Sequence, residues 1–228
     1  MSKFILGDCM DYLREYPDDF FALAIVDPPY GIGVQSMSYT KTGAARASRN
    51  SKAVSRDYRK SEWDIKPDAE YFKELLRVSR NQIIWGGNYF ADMLPPSRSF
   101  IVWDKRTRDG MRDDFADCEM AWCSKDLGVA RIFRYLWRGM LQGDMKNKEE
   151  RFHPTQKPVA LYKWILKNYA KENDKILDTH VGSASSLIAC EEMGFEYVGF
   201  EIDEEYYNKA KERIETFNAQ IRFDWRLP

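Results

Sequence analysis

Residues 22–26, Ala-Leu-Ala-Ile-Val, are apolar without a break, and the run stops at Asp27-Pro28-Pro29-Tyr30. A strand with one wet face alternates apolar and polar residues. A strand without alternation must be covered on both faces, as in a parallel sheet between two layers of helices. The two prolines cannot donate to a ladder and forbid any extension of the strand. An acidic, rigid turn is therefore delivered to the edge of a buried sheet, where open α/β folds bind ligands.

The rest of the chain repeats the pattern. Short apolar segments at Lys3–Leu6, Gln82–Trp85, Phe100–Trp103, Lys175–Leu177 and Tyr197–Phe200 read as strands. Helical spacing runs from about Met10 to Glu15 and through Tyr71, Phe72, Leu75, Leu76 and Val78 behind an Asp68 cap. It returns through Leu161, Trp164, Ile165 and Leu166, up to Met193 before the breaker Gly194, and through Tyr207, Ala210, Ile214 and Phe217. Strands alternating with helices predict a mostly parallel sheet with helices on both faces. A length of 228 residues suits one such domain with insertions. Residues 104–152 break the rhythm: Met120–Cys123 and Ile132–Trp137 look strand-like and aromatic-rich among scattered Arg and Lys.

Composition excludes more than it selects. A net charge of −1 does not announce a nucleic-acid partner, although a local basic patch remains open. Cys9, Cys118, Cys123 and Cys190 form no CxxC pair, so neither a disulfide framework nor a metal site is expected. No apolar run approaches the ~20 residues that span a bilayer, and no signal-peptide pattern is present. The expected location is the cytoplasm, with no membrane partner.

Three motifs carry chemistry. Asp178-Thr179-His180-Val181-Gly182-Ser183-Ala184-Ser185-Ser186 follows a strand and opens a helix, the usual seat of a nucleotide-like ligand. Gly182 allows close backbone approach, and free N–H groups favour an anion. Glu201 ends the next strand and can accept from ribose hydroxyls. With neither G-x-G-x-x-G nor a P-loop present, a nucleoside with an amino-acid tail fits better than a pyrophosphate.

Asp27-Pro28-Pro29-Tyr30 suits the methylation of a base amine. That nitrogen's lone pair is delocalised into the ring. Acceptors on its two N–H bonds would aim the lone pair at a methyl donor and stabilise the developing charge. Asp27 supplies one acceptor. The Pro28 carbonyl supplies a second with no adjacent N–H competing. Pro29 fixes the turn, and Tyr30 can stack on an extruded base. Alone, the tetrapeptide also reads as an ordinary strand end. The third motif, His153-Pro154-Thr155-Gln156-Lys157-Pro158, offers a hydroxyl and a cation suited to a carboxylate, and reads equally as a helix cap.

In this order the three motifs resemble the β-class DNA amino-methyltransferases, over nearly the whole chain and with the sextet matched in full. The resemblance implies a Rossmann-like methyltransferase fold, α/β, with a seven-stranded, mostly parallel sheet and a circularly permuted motif order. It implies S-adenosylmethionine as cofactor and a DNA adenine-N6 methyltransferase, since Asp27 stands where the other branch has Ser. By the resemblance Asp27, Pro28, Pro29 and Tyr30 are catalytic. Asp178, Gly182, Ser183 and Ser185 hold the cofactor with Glu201 and Ile202 at its ribose. Asp8 and Cys9 approach its adenine, Thr155 and Lys157 its methionine carboxylate, and His153, Gln156 and His180 stand beside them. The catalytic half is 1–103, the target-recognition insertion 104–152 and the cofactor half 153–228, within one structural domain. Thr179, His180, Ala184 and Ser185-Ser186 depart from the family's Pro, Phe, Gly and Thr-Thr. Ala184 fails if its position needs a positive φ.

A base inside a duplex is out of reach, so base flipping is expected. The basic stretch 31–61 reads as a solvated loop or as a DNA contact, through Lys41, Arg46, Arg49, Lys52 and Arg56. Arg106 and Arg108, with Lys105, Arg112, Arg131, Arg134 and Arg138, are further candidates. The expected partners are double-stranded DNA, a second copy of the chain and a cognate restriction enzyme. Cytosine-N4 methylation and a non-catalytic DNA-binding relative remain as alternatives.

Overall fold

The computed structural model describes residues 1–33, 64–106, 116–124, 129–138 and 141–224. In chain order the elements are β1 (Lys3–Leu6), α1 (Cys9–Leu13), β2 (Leu23–Val26), α2 (Ala69–Val78), β3 (Gln82–Trp85), β4 (Phe100–Asp104), β5 (Cys118–Cys123), β6 (Arg131–Arg134), β7 (Trp137–Arg138), β8 (Leu141–Gln142), α3 (Val159–Tyr169), β9 (Lys175–Asp178), α4 (Ser185–Met193), β10 (Glu196–Glu201) and α5 (Glu204–Asp224). Eight strands form one sheet in the order β1-β10-β9-β2-β3-β5-β4-β6. All neighbours are parallel except at β5, which runs antiparallel to both β3 and β4.

The sheet is mostly parallel and covered on both faces, as expected, but it has eight strands and not seven. The added strand is β6, paired parallel with β4 at the sheet edge from Ile101↔Arg131 to Asp104↔Arg134. The expected single piece Ile132–Trp137 is broken after Arg134. Tyr135 then donates its N–H to the Asp104 carbonyl, and Trp137–Arg138 pairs in a separate two-stranded ribbon with Leu141–Gln142.

The unbroken apolar run in β2 divides its side chains between two cores. Leu23 and Ile25 join Ile83, Trp85, Ile101, Trp103 and Ile176 beneath α3, α4 and α5. Ala24 and Val26 join Ile84, Trp122, Leu177 and Phe200 beneath α1 and α2. Each fully buried Leu, Ile or Val contributes roughly 1.5–3 kcal/mol, so neither face of β2 tolerates a polar residue. Asp68 opens α2 by accepting the Tyr71 N–H at 3.0 Å.

The sheet order sets the site. From β2 the chain crosses through α2 to β3 on one side. From β9 it crosses through α4 to β10 on the other. β2 and β9 are parallel neighbours, with Leu23↔Ile176 and Ala24↔Leu177 in register. Their carboxyl ends flank the point where the winding reverses, and a crevice opens there.

Candidate active site

The turn after β2 and the turn after β9 share one cavity of about 510 Å³. Asp27, Pro28, Pro29 and Tyr30 line it from one side, and His180, Val181, Gly182 and Ser183 from the other. Asp8, Cys9, His153, Thr155, Gln156, Lys157, Glu201 and Ile202 complete the expected residues on its wall. Asp178 and Ser185 are buried and are not among the residues lining it.

The catalytic turn is held by charge. The Tyr30 hydroxyl donates to Asp27 Oδ1 at 2.7 Å, and the Lys157 ammonium donates to Asp27 Oδ2. Lys157 also meets Glu119 Oε2 at 3.1 Å and lies 5.4 Å over the Trp85 ring. Glu119 in turn pairs with Lys105. Burial pushes the Asp27 carboxyl above its ordinary value, against the pull of Lys157. Burial works in the same direction on Glu119, but Lys157 and Lys105 overcome it and hold this acid down to about 2. Burial alone would discharge Lys157; its two carboxylates keep it charged. The sequence pointed Lys157 at a cofactor carboxylate. The structure gives its ammonium two carboxylates of the chain itself, Asp27 after β2 and Glu119 on β5, strands that β3 alone separates in the sheet.

Tyr30 stacks on Tyr89, with ring centroids 4.8 Å apart and planes 17° from parallel, and it packs edge-on to Phe90. Gly86 makes room for it. This residue sits at φ +69, and a Cβ there would come within 2.2 Å of the Tyr30 ring.

The cofactor turn is held by hydrogen bonds and backbone geometry. Asp178 accepts from the His180 N–H at 3.0 Å and from the Ser186 hydroxyl, and burial pushes its acid up to about 7. Glu201 Oε2 accepts the Gly182 N–H at 2.8 Å, and Oε1 accepts the Asp203 N–H at 2.9 Å. Ala184 adopts φ +63, the left-handed conformation that the family's glycine takes at no cost. Arg213 of α5 braces the loop from behind. It donates to the Ser183 carbonyl at 2.6 Å and Ser185 Oγ at 3.0 Å, and it pairs with Glu149 at 2.7 Å. Ser185 is thus a bracing group.

Two substitutions in the family pattern explain each other. Thr179 Oγ1 lies 2.6 Å from the Tyr71 hydroxyl and 2.9 Å from His180 Nδ1, and the His180 ring meets Tyr71 edge-on at 5.4 Å. Thr179 and His180 together anchor this turn to α2. Burial lowers the His180 imidazole to about 4. Burial, with the Lys157 charge second, lowers His153 to about 3. Thr155 Oγ1 lies 3.1 Å from His153 Nδ1, and the His153 ring packs on Tyr206. Gln156 fastens its own segment by accepting the Phe152 N–H and donating to the Glu150 carbonyl.

Sequence reading missed Glu119 beside Lys157, and Tyr71, Tyr162 and Tyr206 on the cavity wall. The signal for Glu119 was available. It shares strand parity with the inward-facing Ala121 and Cys123, and a carboxylate on the buried side of a strand requires a cation. Of the DNA candidates, Lys41, Arg46, Arg49, Lys52, Arg56, Arg108 and Arg112 lie outside the described residues. Arg106 is paired with Asp117 at 3.3 Å and Asp104 at 3.6 Å, and Arg134 with Asp104 at 3.5 Å. Arg131 is exposed on the edge strand. Arg138 is a correction: its guanidinium nitrogens are buried, which withdraws it from a phosphate contact.

The cavity fits S-adenosylmethionine on its own donor set. Asp8, Asp27, Asp64, Asp68 and Glu201 outnumber Lys66 and Lys157 on its walls, which suits a cationic sulfonium compound. The exposed Ile202 beside Glu201 offers an apolar face for a purine.

Known proteins agree with this arrangement. A family model described as DNA methylase matches residues 101–212. The candidate methylase YubD of Escherichia coli K12 is 25% identical over 240 residues, covering 100% of this chain and 99% of its own length. The M1.HpyAVI–SAM complex superposes with a TM-score of 0.54 at 19% identity, covering 93% of this chain and 100% of that one. The cytosine-N4-specific PvuII DNA methyltransferase superposes at 0.58 and 11% identity, covering 96% of this chain and 92% of that one. At these identities the two structures speak for the fold. No helix among the described residues is long and apolar enough to cross a membrane. The matching family model, the full-length relative and the paired turns on one sheet edge together support an S-adenosylmethionine-dependent DNA methyltransferase.

Proposed function

We propose that the chain transfers the methyl group of S-adenosylmethionine to N6 of an adenine flipped out of double-stranded DNA, at sequence-defined sites. The observation that carries this reading is the single cavity bounded by the Asp27–Tyr30 turn and the Val181–Ser183 backbone. The bound cofactor supplies an electrophilic methyl group. The chain does the rest. Asp27, with Tyr30 fixing one carboxylate oxygen, accepts one N–H of the target amine, and the Pro28 carbonyl accepts the other. The stacked Tyr30–Tyr89 pair gives a rigid aromatic wall against which a base can lie. Glu201 retains unused lone pairs for ribose hydroxyls after accepting two backbone N–H groups.

Purified protein, labelled S-adenosylmethionine and DNA, followed by nucleoside mass spectrometry, tests this directly. N6-methyladenine is expected. N4-methylcytosine would move the chain to the other branch, and absence of label in DNA would overturn the reading. The same proposal includes a homodimer gripping the duplex, checked by sedimentation with and without DNA. It also includes a cognate restriction enzyme, checked by protection of methylated DNA, and work in the cytoplasm, checked by fractionation.

A further inference from the structure

The ion pairs around Asp27 form a row of alternating charge, Lys105–Glu119–Lys157–Asp27, that runs from the foot of the β4–β5 hairpin to the catalytic turn. Each member has one or two neighbours of opposite sign, and the four charges sum to zero. Lys157, whose side chain is only 2% exposed, is shared between two carboxylates. An ammonium has three donors. One goes to Asp27 and one to Glu119.

This sharing matters to chemistry at Asp27. A carboxylate has about four acceptor positions. Lys157 and Tyr30 take one on each oxygen, and the target amine needs another. A cation devoted wholly to Asp27 would draw its electron density away and weaken it as an acceptor. We propose that Glu119 is a positioning residue for methyl transfer. By taking a share of the Lys157 ammonium, it keeps Asp27 electron-rich enough to grip the amine, and Lys105 balances the charge that Glu119 brings. This inference rests on the proposed reaction at Asp27 and adds to it a control point on β5, outside all three sequence motifs.

The groups that feel Asp27 are Lys157, Glu119, Tyr30, Tyr71, Tyr162 and Asp178. Glu119→Gln removes the negative neighbour that raises Asp27 and leaves Lys157 to it alone, so Asp27 titrates lower. Lys105→Met strips Glu119 of its outer cation and increases its pull on Lys157, so Asp27 titrates higher. The full chain is used for two measurements. The first is the carboxyl titration of Asp27 by carbon NMR, assigned with Asp27→Asn. The second is the pH profile of kcat.

In Glu119→Gln the Asp27 titration and the acidic limb of kcat fall by about one pH unit. The plateau drops roughly tenfold, and KM for S-adenosylmethionine stays within about threefold of wild type. In Lys105→Met both move the opposite way by a smaller amount. Opposite shifts from two folded variants are something a merely structural role does not produce. If both folded variants leave the Asp27 titration in place, the proposal is overturned. Should Glu119→Gln not fold, Lys105→Met decides by the same criterion. A wild-type chain that methylates no DNA would defeat the proposed reaction, while the titration would still decide whether Glu119 sets the charge on Asp27.

Discussion

The two turns that meet at the sheet edge are built on opposite principles. The Asp27 turn is an island of paired charge: carboxylate, ammonium, carboxylate and ammonium in a row. The Asp178 turn carries a carboxyl of the same kind, more deeply buried, whose partners are the Ser186 hydroxyl and the His180 N–H rather than an ammonium. It is held by a hydroxyl, a backbone N–H and a strained alanine. The first arrangement keeps an anion available for chemistry. The second lets a carboxyl go neutral and spends it on shape. If the contrast is sound, the two turns should fail differently.

The largest effect belongs to the charged side. Asp27→Ala removes the acceptor whose value peaks as charge develops on the amine. We expect kcat to fall by about 10³-fold, or ~4 kcal/mol, with cofactor binding nearly unchanged. Methyl-transfer kinetics together with calorimetry on S-adenosylmethionine check both halves. A variant that transfers methyl at the wild-type rate would remove Asp27 from the mechanism.

Lys157→Met comes next. It leaves Asp27 and Glu119 as neighbouring carboxylates with their shared cation gone. Breaking a buried pair costs about 3 kcal/mol, and urea unfolding at pH 8 should show a loss of that order. The loss should shrink as pH falls and one of the two acids takes up a proton. A pH-independent loss would mean that Lys157 contributes packing and not charge.

Asp178→Asn probes the neutral side by stability alone. The Asp178 acid sits near 7 in the fold and near 3.8 as a free side chain. A raised carboxyl stabilises the fold fully below the unfolded value, and that stability is lost as pH climbs from about 4 through 7. Asparagine has no such loss. The melting temperature of the variant relative to wild type should therefore rise between pH 5 and pH 8, by on the order of 5 °C. Parallel melting curves across that range would show that Asp178 is ionised in the fold.

The same contrast marks what the sequence could disclose. The ends of β2 and β9 were legible because an apolar run followed by Pro28, or by a small-residue turn, is a local signal. Their adjacency followed from the winding rule of α/β sheets. Strand parity marked Glu119 as a carboxylate in need of a cation, but its pairing with Lys157 was not legible. It depends on β5 entering antiparallel between β3 and β4, a pairing fixed by contacts 14–40 residues apart in sequence. For the same reason the place of β6 was not legible: Ile132–Trp137 looked strand-like, but nothing in Arg131-Ile132-Phe133-Arg134 says that β4 has a free edge. Thr179 and His180 looked like damage to a motif because their partner, Tyr71, lies 108 residues away from Thr179, on α2.

The smallest and most local prediction concerns Ala184. Its φ of +63 lies in the left-handed region, where a Cβ crowds the following carbonyl at a cost of about 1 kcal/mol. The chain tolerates this because the loop is braced on both sides: Ala184 donates its N–H to the Val181 carbonyl and accepts from Ile188, while Arg213 holds Ser183 and Ser185. Ala184→Gly relieves the strain but gives the unfolded chain more freedom. The two effects partly offset, and a net stabilisation of up to about 1 kcal/mol in urea unfolding is expected. Arg213→Met loosens the brace, so Ala184→Gly should then stabilise more than it does in the wild-type background. If the gain is instead equal in both backgrounds, the brace does not hold Ala184 in place, and the strained turn is stable on its own.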